Sequence, residues 1–334
     1  MNWTKRPEGS NWGDFGADDE LGRLNLIGPE QVRAGLATVT EGRTFCLSLP
    51  LDLPGGNLLN PRRHPPRLSP TELDGAQYVN FPLANLDPAL RDVISDDRVI
   101  LYTQYSTQWD SLAHVGAMFD VDDNGVPEKV YYNGHRADRD VLAPAKAGGS
   151  SRAERLGVET MATHGMQGRA VLVDLAKVFG TNRRVIDRDD LMHALDATGA
   201  DIRPGDFMVL RTGFAERIVE MNGAPDVEAL DRTGAVLDGH DLALLQWITD
   251  SGIAAICADN YAVENPDPPL GATLKLPLHH HCLFKLGLPL AELWYLADLA
   301  KALDALGRCD FLLTAPPLKL PGALGSPVTP IATI

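Results

Sequence analysis

Short apolar runs alternate with segments of helical periodicity along much of the chain, and this alternation constrains its fold most. Residues 206–212, 253–258 and 310–314 are typical of buried strands. Residues 238–250 and 291–306 repeat apolar side chains at helical spacing. Strands that alternate with helices favour an α/β fold in which helices cover a sheet.

Length and composition limit the kind of protein. No low-complexity linker or internal repeat divides residues 1–334, and 44% of them are hydrophobic, so we expect one large domain with a substantial core. The net charge of −15 argues against a nucleic-acid partner. The polar start and the lack of any run near the ~18 apolar residues of a membrane span argue against a membrane partner. We therefore expect a cytoplasmic enzyme that acts on a small molecule.

Residues 52–97 are rich in proline and glycine and include the run Pro-Arg-Arg-His-Pro-Pro at 61–66. Long irregular segments in compact domains are usually functional or mobile. This segment is therefore predicted to be a lid over the site. An ordered wrap over the surface is the alternative interpretation.

A polar stretch follows the apolar run 98–102, which itself predicts a buried strand. Gln104, Gln108, Asp110 and His114 recur there at spacings of four, two and four residues. If the chain stays extended, all four side chains point to one face. A carboxylate and an imidazole at the mouth of a buried strand can bind a metal or move protons, so Asp110 and His114 are the catalytic candidates. A helix N-cap is the structural alternative for Asp110.

This spacing resembles the signature His-x-Gly-Thr-His-x-Asp-x-Pro-x-His of the metal-dependent cyclase and kynurenine formamidase-like hydrolase family. Thr107, Asp110 and His114 match it, whereas Gln104 and Gln108 stand where the family has two metal-binding histidines. Further segments are similar to longer bacterial members of the family, namely residues 11–25, 165–174, 205–213, 258–264 and 311–322. The resemblance implies a fold of the swivelling β/β/α type, with mixed sheets and surrounding helices.

The resemblance also implies a ligand set. His280 and Glu292 reproduce the family's His-x11-Glu metal-binding pair, and only this spacing selects His280 among three consecutive histidines. Asp110, His280 and Glu292 would then be the metal ligands, and His114 the general acid/base. In the family, a metal-activated water attacks an amide or lactone carbonyl. We expect these four residues to converge in one pocket.

The two glutamines leave more than one chemistry open. An amide is a weaker metal ligand than an imidazole. One divalent ion could remain on Asp110, His280 and Glu292, namely manganese or zinc, with magnesium or calcium as alternatives. Without a metal, Gln104 and Gln108 would donate hydrogen bonds to a substrate carbonyl.

Three functions are consistent with these alternatives. The first is a metal-dependent hydrolase of a small cyclic or aryl amide, imide or lactone. The second is a metal-free cyclase, lyase or isomerase that uses His114 as general acid/base. The third is a binding protein that retains the pocket without catalysis.

Other side chains are candidates for substrate contact beside the two glutamines. Trp109 and Tyr132, with Phe81 from the proline-rich segment, could form apolar walls for an aromatic or cyclic substrate. His135 and Arg211 could supply polar contacts. Core packing for Trp109, a surface loop for His135 and a structural ion pair for Arg211 are the alternatives.

The assembly is predicted to be a homodimer, because symmetric dimers are the commonest oligomers. Trp3, Trp12 and Phe15 lie close together near the start of the chain. They offer apolar anchors for a partner subunit, or they fold back on their own subunit.

Overall fold

Residues 2–334 are described by the computed structural model, and a mixed nine-stranded sheet lies at the centre of the fold. The strands in chain order are β1 (Thr44–Cys46), β2 (Arg67–Pro70), β3 (Glu72–Leu73), β4 (Ala76–Gln77), β5 (Phe81–Pro82), β6 (Val93–Ile94), β7 (Asp97–Ile100), β8 (Gln108–Asp110), β9 (Ala117–Phe119), β10 (Glu128–Val130), β11 (Val141–Leu142), β12 (Arg152–Ala153), β13 (Gln167–Asp174), β14 (Arg184–Ile186), β15 (Phe207–Arg211), β16 (Ala235–Leu237), β17 (Ala255–Ala258), β18 (Leu290–Glu292), β19 (Asp310–Thr314), β20 (Gly325–Pro327) and β21 (Ile331–Thr333). The central sheet has the order β1-β21-β19-β13-β15-β17-β18-β8-β20. The predicted α/β fold in a single large domain is confirmed.

Both faces of the central sheet are covered. Along β15, Met208 and Leu210 face one apolar core, and Phe207 and Val209 face the other. Successive strand side chains point to opposite faces, so a strand buried on both sides needs an unbroken apolar run. This explains why the predictions of strands at β15, β17 and β19 are confirmed. It also leaves the strand ends as the places where polar groups gather.

Helices pack against these faces. They are α1 (Pro29–Leu36), α2 (Val158–His164), α3 (Leu175–Phe179), α4 (Arg188–Thr198), α5 (Phe214–Met221), α6 (Val227–Asp231), α7 (Leu242–Ser251), α8 (Pro277–His279) and α9 (Ala297–Leu306), with a π-helix at His280–Leu286 and 3-10 turns at Gly22–Leu26, Leu83–Asn85 and Tyr132–Gly134. The helix predicted at 291–306 begins only at Ala297, because the preceding residues pair with β17 in the sheet as β18. Among residues 2–334, no helix is long and apolar enough to cross a membrane.

Residues 67–100, called the arm below, form a ribbon outside the central sheet. Its ladder consists of the pairs β2–β7, β3–β4 and β5–β6. The prediction of a buried strand at 98–102 is wrong, because β7 pairs with β2 alone in a two-stranded ribbon and is exposed along its whole length. Within the described range 67–100, Phe81 is the one buried residue, and its ring stacks on Tyr78 within the arm. It therefore forms no wall of the site described next.

Candidate active site

The site is built on β8, which lies between β18 and β20. Because β8 runs antiparallel to β18, Trp109 pairs with Ala291 and Gln108 with Glu292. Side-chain alternation places Asp110 and Gln108 on the opposite face of the strand from Trp109. The extended segment is only three residues long, so Gln104 reaches the site through a turn rather than along a strand.

Asp110, His279 and Glu292 form a buried group, called the Asp–His–Glu cluster below. Nε2 of His279 lies 3.9 Å from Asp110 Oδ2 and 3.5 Å from Glu292 Oε1. One ligand atom from each residue lies within 4.8 Å of the others. Oδ2 of Asp110 is buried and has no hydrogen-bond partner among the described residues. A buried, unpaired carboxylate oxygen is costly, and a cation would satisfy it. One imidazole and two carboxylates therefore fit a divalent metal ion such as manganese or zinc.

The structure corrects the choice of histidine. His279 faces the cluster, whereas the ring of His280 packs against Phe284 with centroids 4.9 Å apart. Nε2 of His281 lies 2.9 Å from the Thr249 hydroxyl oxygen. Consecutive residues of a helix point in different directions around its axis, so only one of the three histidines can meet the carboxylates. The position that the resemblance assigned to His280 is therefore occupied by His279, one residue earlier.

Glu264 holds His279 in place, and the sequence analysis did not single it out. Glu264 is fully buried, and its Oε1 lies 2.6 Å from His279 Nδ1 and accepts the His279 backbone N–H at 2.9 Å. Its Oε2 accepts the backbone N–H of Leu278 at 2.8 Å. A carboxylate on Nδ1 orients a ligating imidazole and leaves Nε2 for the metal. The one signal in the sequence was its place at the end of the family-like segment 258–264.

Without a metal, His279 is a cation between two carboxylates. Burial lowers its pKa, but the hydrogen bonds and charges of Glu264 and Glu292 outweigh burial and raise the pKa to about 10. Burial opposes ionisation of Glu292, yet the hydrogen bond and charge of His279 outweigh it and lower that pKa. A metal ion on Nε2 would take the place of one proton.

Glu292 is fixed from the other side by a strained turn. The backbone N–H of Ala262 donates to Glu292 Oε2 at 2.9 Å. Ala262 and Val263 have φ values of 72° and 58°, a region that residues with a Cβ rarely adopt and that a β-branched residue adopts at a cost. Strain of this kind persists where the surrounding structure imposes it, and it concentrates at functional sites.

Gln104 links Asp110 to His114. Its amide nitrogen donates to Asp110 Oδ1 at 3.0 Å and lies 2.7 Å from His114 Nδ1. Because a primary amide has two N–H groups, both contacts can be donated, which leaves the proton of neutral His114 on Nε2. Burial lowers the pKa of His114 although the charge of Asp110 opposes this, so the ring is neutral at pH 7.

Gln108 has a different role from the one predicted. It is buried, and with its amide oriented to satisfy both ends it donates to the carbonyl oxygens of Gln104 at 2.7 Å and Ser106 at 3.3 Å. Its N–H groups therefore brace the turn that carries Gln104 and are not available to a substrate.

The two predicted aromatic contacts lie in the core instead. Trp109 is fully buried, packs edge-on against Trp294 with centroids 5.5 Å apart, and donates its indole N–H to the carbonyl of Ala315. Tyr132 is also fully buried and donates its hydroxyl to Asp19. For Trp109 the core-packing alternative is the correct one, because the alternation of β8 turns it away from Asp110.

The two predicted polar contacts also lie away from the site. His135 is buried with Nδ1 3.6 Å from Asp140 Oδ2. Arg211 forms ion pairs with Asp174 at 3.0 Å and Glu216 at 2.7 Å. The structural ion pair is therefore the correct interpretation of Arg211, and neither side chain lines the cavity beside the cluster.

A cavity of about 530 Å³ opens beside the Asp–His–Glu cluster and is called the site cavity below. His114, His279 and Glu292 contribute to its lining. Residues 58–63, from the proline-rich segment, form another part of it. A volume of this order suits a small organic ligand.

An α/β domain with a buried carboxylate–imidazole cluster beside a small-molecule cavity is typical of enzymes. The family model described as "Putative cyclase" matches residues 47–265. The chain therefore belongs to the cyclase family, as the motif resemblance implied.

Solved structures agree with this assignment. A crystal structure described as a novel cyclase is 31% identical, with 97% of each chain covered and a TM-score of 0.76. Isatin hydrolase A from Labrenzia aggregata, bound to benzyl benzoate, shares the fold at 16% identity and a TM-score of 0.55, with 91% of this chain and 97% of that chain covered. An isatin hydrolase bound to the product analogue thioisatinate also shares the fold, at 14% identity and a TM-score of 0.55, with 92% of this chain and 99% of that chain covered. A search of curated proteins gave no match.

Proposed function

We propose that this enzyme is a metal-dependent hydrolase that cleaves a small cyclic or aryl amide, imide or lactone. The observation that carries the proposal is the unpaired Asp110 Oδ2 in a cluster with His279 and Glu292, directly beside a cavity of small-molecule size. The isatin hydrolases that share the fold act, by their names, on a cyclic amide. Isatin is therefore the first substrate to test.

Asp110, His279 and Glu292 would hold the metal ion, manganese or zinc in the first place. When bound, such an ion supplies an activated water and polarises a carbonyl. Glu264 keeps His279 Nε2 directed at the cluster. Gln104 keeps His114 in the form that carries its proton on Nε2, so His114 serves as a donor to the oxygen or nitrogen on which charge develops. The Gln104 contact thus favours the donor half of the predicted acid/base role.

The direct test is metal content together with hydrolysis. Protein purified without chelators or a metal-binding tag should contain about one divalent ion per chain and should open isatin or a related lactone. Removal of the ion should abolish turnover, and manganese or zinc should restore it.

Full activity in protein shown to contain no metal would contradict the metal-dependent proposal. It would favour the metal-free cyclase, lyase or isomerase instead. One observation is consistent with that alternative, because the contacts of Gln104 with Asp110 and His114 need no ion.

We also propose that the enzyme is a homodimer that pairs through the arm. Leu68, Val99 and Ile100 on the paired strands β2 and β7 are 71%, 47% and 63% exposed. An isolated two-stranded ribbon is marginally stable in water. Leu68 and Val99 are paired and lie on one face, which a second copy of the arm would cover, and Ile100 lies on the opposite face. Trp12, one of the predicted anchors, is instead buried in its own subunit and donates to the carbonyl of Phe284.

The dimer is tested by sedimentation of a variant with Leu68, Val99 and Ile100 all changed to serine. This variant should be monomeric at micromolar concentration, where the parent is dimeric. Leu36→Ser, on α1 and 53% exposed, is the matched control and should leave the dimer intact. A parent protein that is itself monomeric would contradict the proposal.

The cytoplasm is the proposed location. Cys46, Cys257, Cys282 and Cys309 are all free thiols, and Cys257 and Cys282 are buried. Unpaired thiols persist in reducing compartments. Cell fractionation with an antibody against the chain tests this location.

A further inference from the structure

The site cavity has a cationic side in an otherwise acidic protein. The chain has 30 lysines and arginines against 45 aspartates and glutamates. Even so, Arg62, Arg63 and Lys275 all line the cavity. Among residues 2–334, none of these three side chains forms an ion pair. Their charges therefore remain available to a ligand.

Arg63 is the best placed of the three. It is half-buried, and one of its terminal nitrogens donates to the backbone carbonyl of Gln104 at 2.6 Å. It shares the lining of the site cavity with His114 and Glu292, so its guanidinium lies at the catalytic end of the cavity. A guanidinium has five N–H groups in a planar fork, so one bond to a carbonyl leaves enough donors to bind a carboxylate at two points.

Arg62 and Lys275 extend the positive charge towards solvent. Nε of Arg62 donates to Asn60 Oδ1 at 3.3 Å, and both side chains are exposed. The carboxylates of the lining are Asp231 and Glu292, and Glu292 belongs to the Asp–His–Glu cluster. Away from the cluster, the cavity lining therefore carries net positive charge.

Apolar side chains complete the lining. Leu58, Leu59, Tyr261 and Leu276 are part of it. A ligand that fits this pattern has an apolar, ring-sized body with a reacting bond near the cluster and a negatively charged group elsewhere. Apolar walls with a few placed charges are how small-molecule sites fix orientation.

We propose that the substrate of this enzyme carries an anionic group, a carboxylate in the first place, that is bound by Arg63 with support from Arg62 and Lys275. The identity of the cleaved bond rests on the proposed function, but the anion site does not. A net charge of −15 repels anions at long range, and the local cations offset that repulsion at the site cavity.

The binding test compares benzoate with benzene-1,3-dicarboxylate by isothermal titration calorimetry on the metal-loaded enzyme. Both probes offer one carboxylate to the cluster, and only the second offers another to the cations. In the parent protein the second carboxylate should tighten binding at least tenfold, because hydrogen bonds between two charged groups are the strong ones. The gain should shrink as salt rises.

Two variants locate the effect. Arg63→Gln and Lys275→Gln should each reduce the gain from the second carboxylate, measured as the ratio of the two affinities within each variant. Among residues 2–334, Lys275 donates no hydrogen bond, so its variant removes charge without disturbing a neighbour. Arg33→Gln, on an exposed position of α1 outside the cavity, is the matched control and should keep the full gain. Equal thermal midpoints show that the variants are folded.

The outcomes separate this inference from the proposed function. No gain in the parent, or an equal gain in both cavity variants, overturns the anion site even if the enzyme hydrolyses isatin. If the gain depends on Arg63 and Lys275 but the metal-loaded enzyme hydrolyses no cyclic or aryl amide, imide or lactone, isatin and isatin-5-carboxylate included, the anion site stands and the proposed function is wrong. If both hold, isatin-5-carboxylate should have a lower KM than isatin.

Discussion

Gly325 makes room for Gln104. It is the partner of Asp110 in the β8–β20 pairing, and a Cβ added to it would lie 2.6 Å from Cγ of Gln104. No side chain can occupy that space while Gln104 bridges Asp110 and His114. The glycine is therefore a requirement of the site rather than of the strand.

Gly325→Ala should push Gln104 out of its contacts and lower kcat by about ten- to a hundredfold, since small displacements of catalytic groups cost that much. Overpacking should also reduce the free energy of unfolding by about 1–3 kcal/mol. Steady-state kinetics and thermal unfolding measure both effects. In the double variant Gly325→Ala/Gln104→Ala, the free energy of unfolding should return towards the parent value, but kcat should stay low. A fully active Gly325→Ala protein would contradict the role given to Gln104.

The assignment of the ligand histidine is tested by two single changes. His279→Ala removes the only imidazole of the Asp–His–Glu cluster and should abolish stoichiometric metal binding and turnover. His280→Ala should retain both, because its ring packs on Phe284 outside the cluster. Elemental analysis of the two purified variants checks this directly. Metal retained in His279→Ala and lost in His280→Ala would show that His280 is the ligand instead.

Glu264→Gln should weaken metal binding without removing a ligand. A neutral amide at this position loses the charge that holds His279 Nδ1–H, and loss of such a partner typically costs ten- to a hundredfold in metal affinity. Titration with Mn²⁺ measures the change. Glu228→Gln, which breaks only an exposed ion pair with Arg232, is the control and should leave the affinity unchanged.

The stability of metal-free protein should depend on His279. Its folded-state pKa of about 10 lies above the ordinary value of 6.5, so the folded protein binds this proton more tightly than the unfolded chain does. The resulting stabilisation is complete below pH 6.5 and is lost as pH rises through about 10. Thermal midpoints of metal-free protein should fall across that window, and His279→Ala should flatten the fall. Metal-loaded protein should lack this dependence, because the proton is already displaced.

The fold was largely predictable because each strand buried on both faces demands an unbroken apolar run, as in β15 and β17. The site was predictable in part. Asp110, His114 and Glu292 do lie beside one another, as the motif implied. Among adjacent histidines, however, the rotation of the helix about its axis decides which one faces the carboxylates. The spacing of residues in the sequence does not determine that rotation.

The arm shows a different limit. The apolar residues of 98–102 satisfy the pattern of a buried strand, yet β7 lies in an exposed ribbon. A run of apolar side chains indicates that something will cover them. It does not indicate whether the cover comes from the same chain or from another.

The hydrogen bond from Arg63 to the Gln104 carbonyl connects the cationic side of the site cavity to Gln104. The amide of that same Gln104 contacts both Asp110 and His114. An anionic group that shifts the position of Arg63 therefore also shifts Gln104, which orients His114. Selection among substrates should then be expressed in how fast a bound molecule reacts as well as in how tightly it binds, so an anionic substrate should gain in kcat in addition to its gain in affinity.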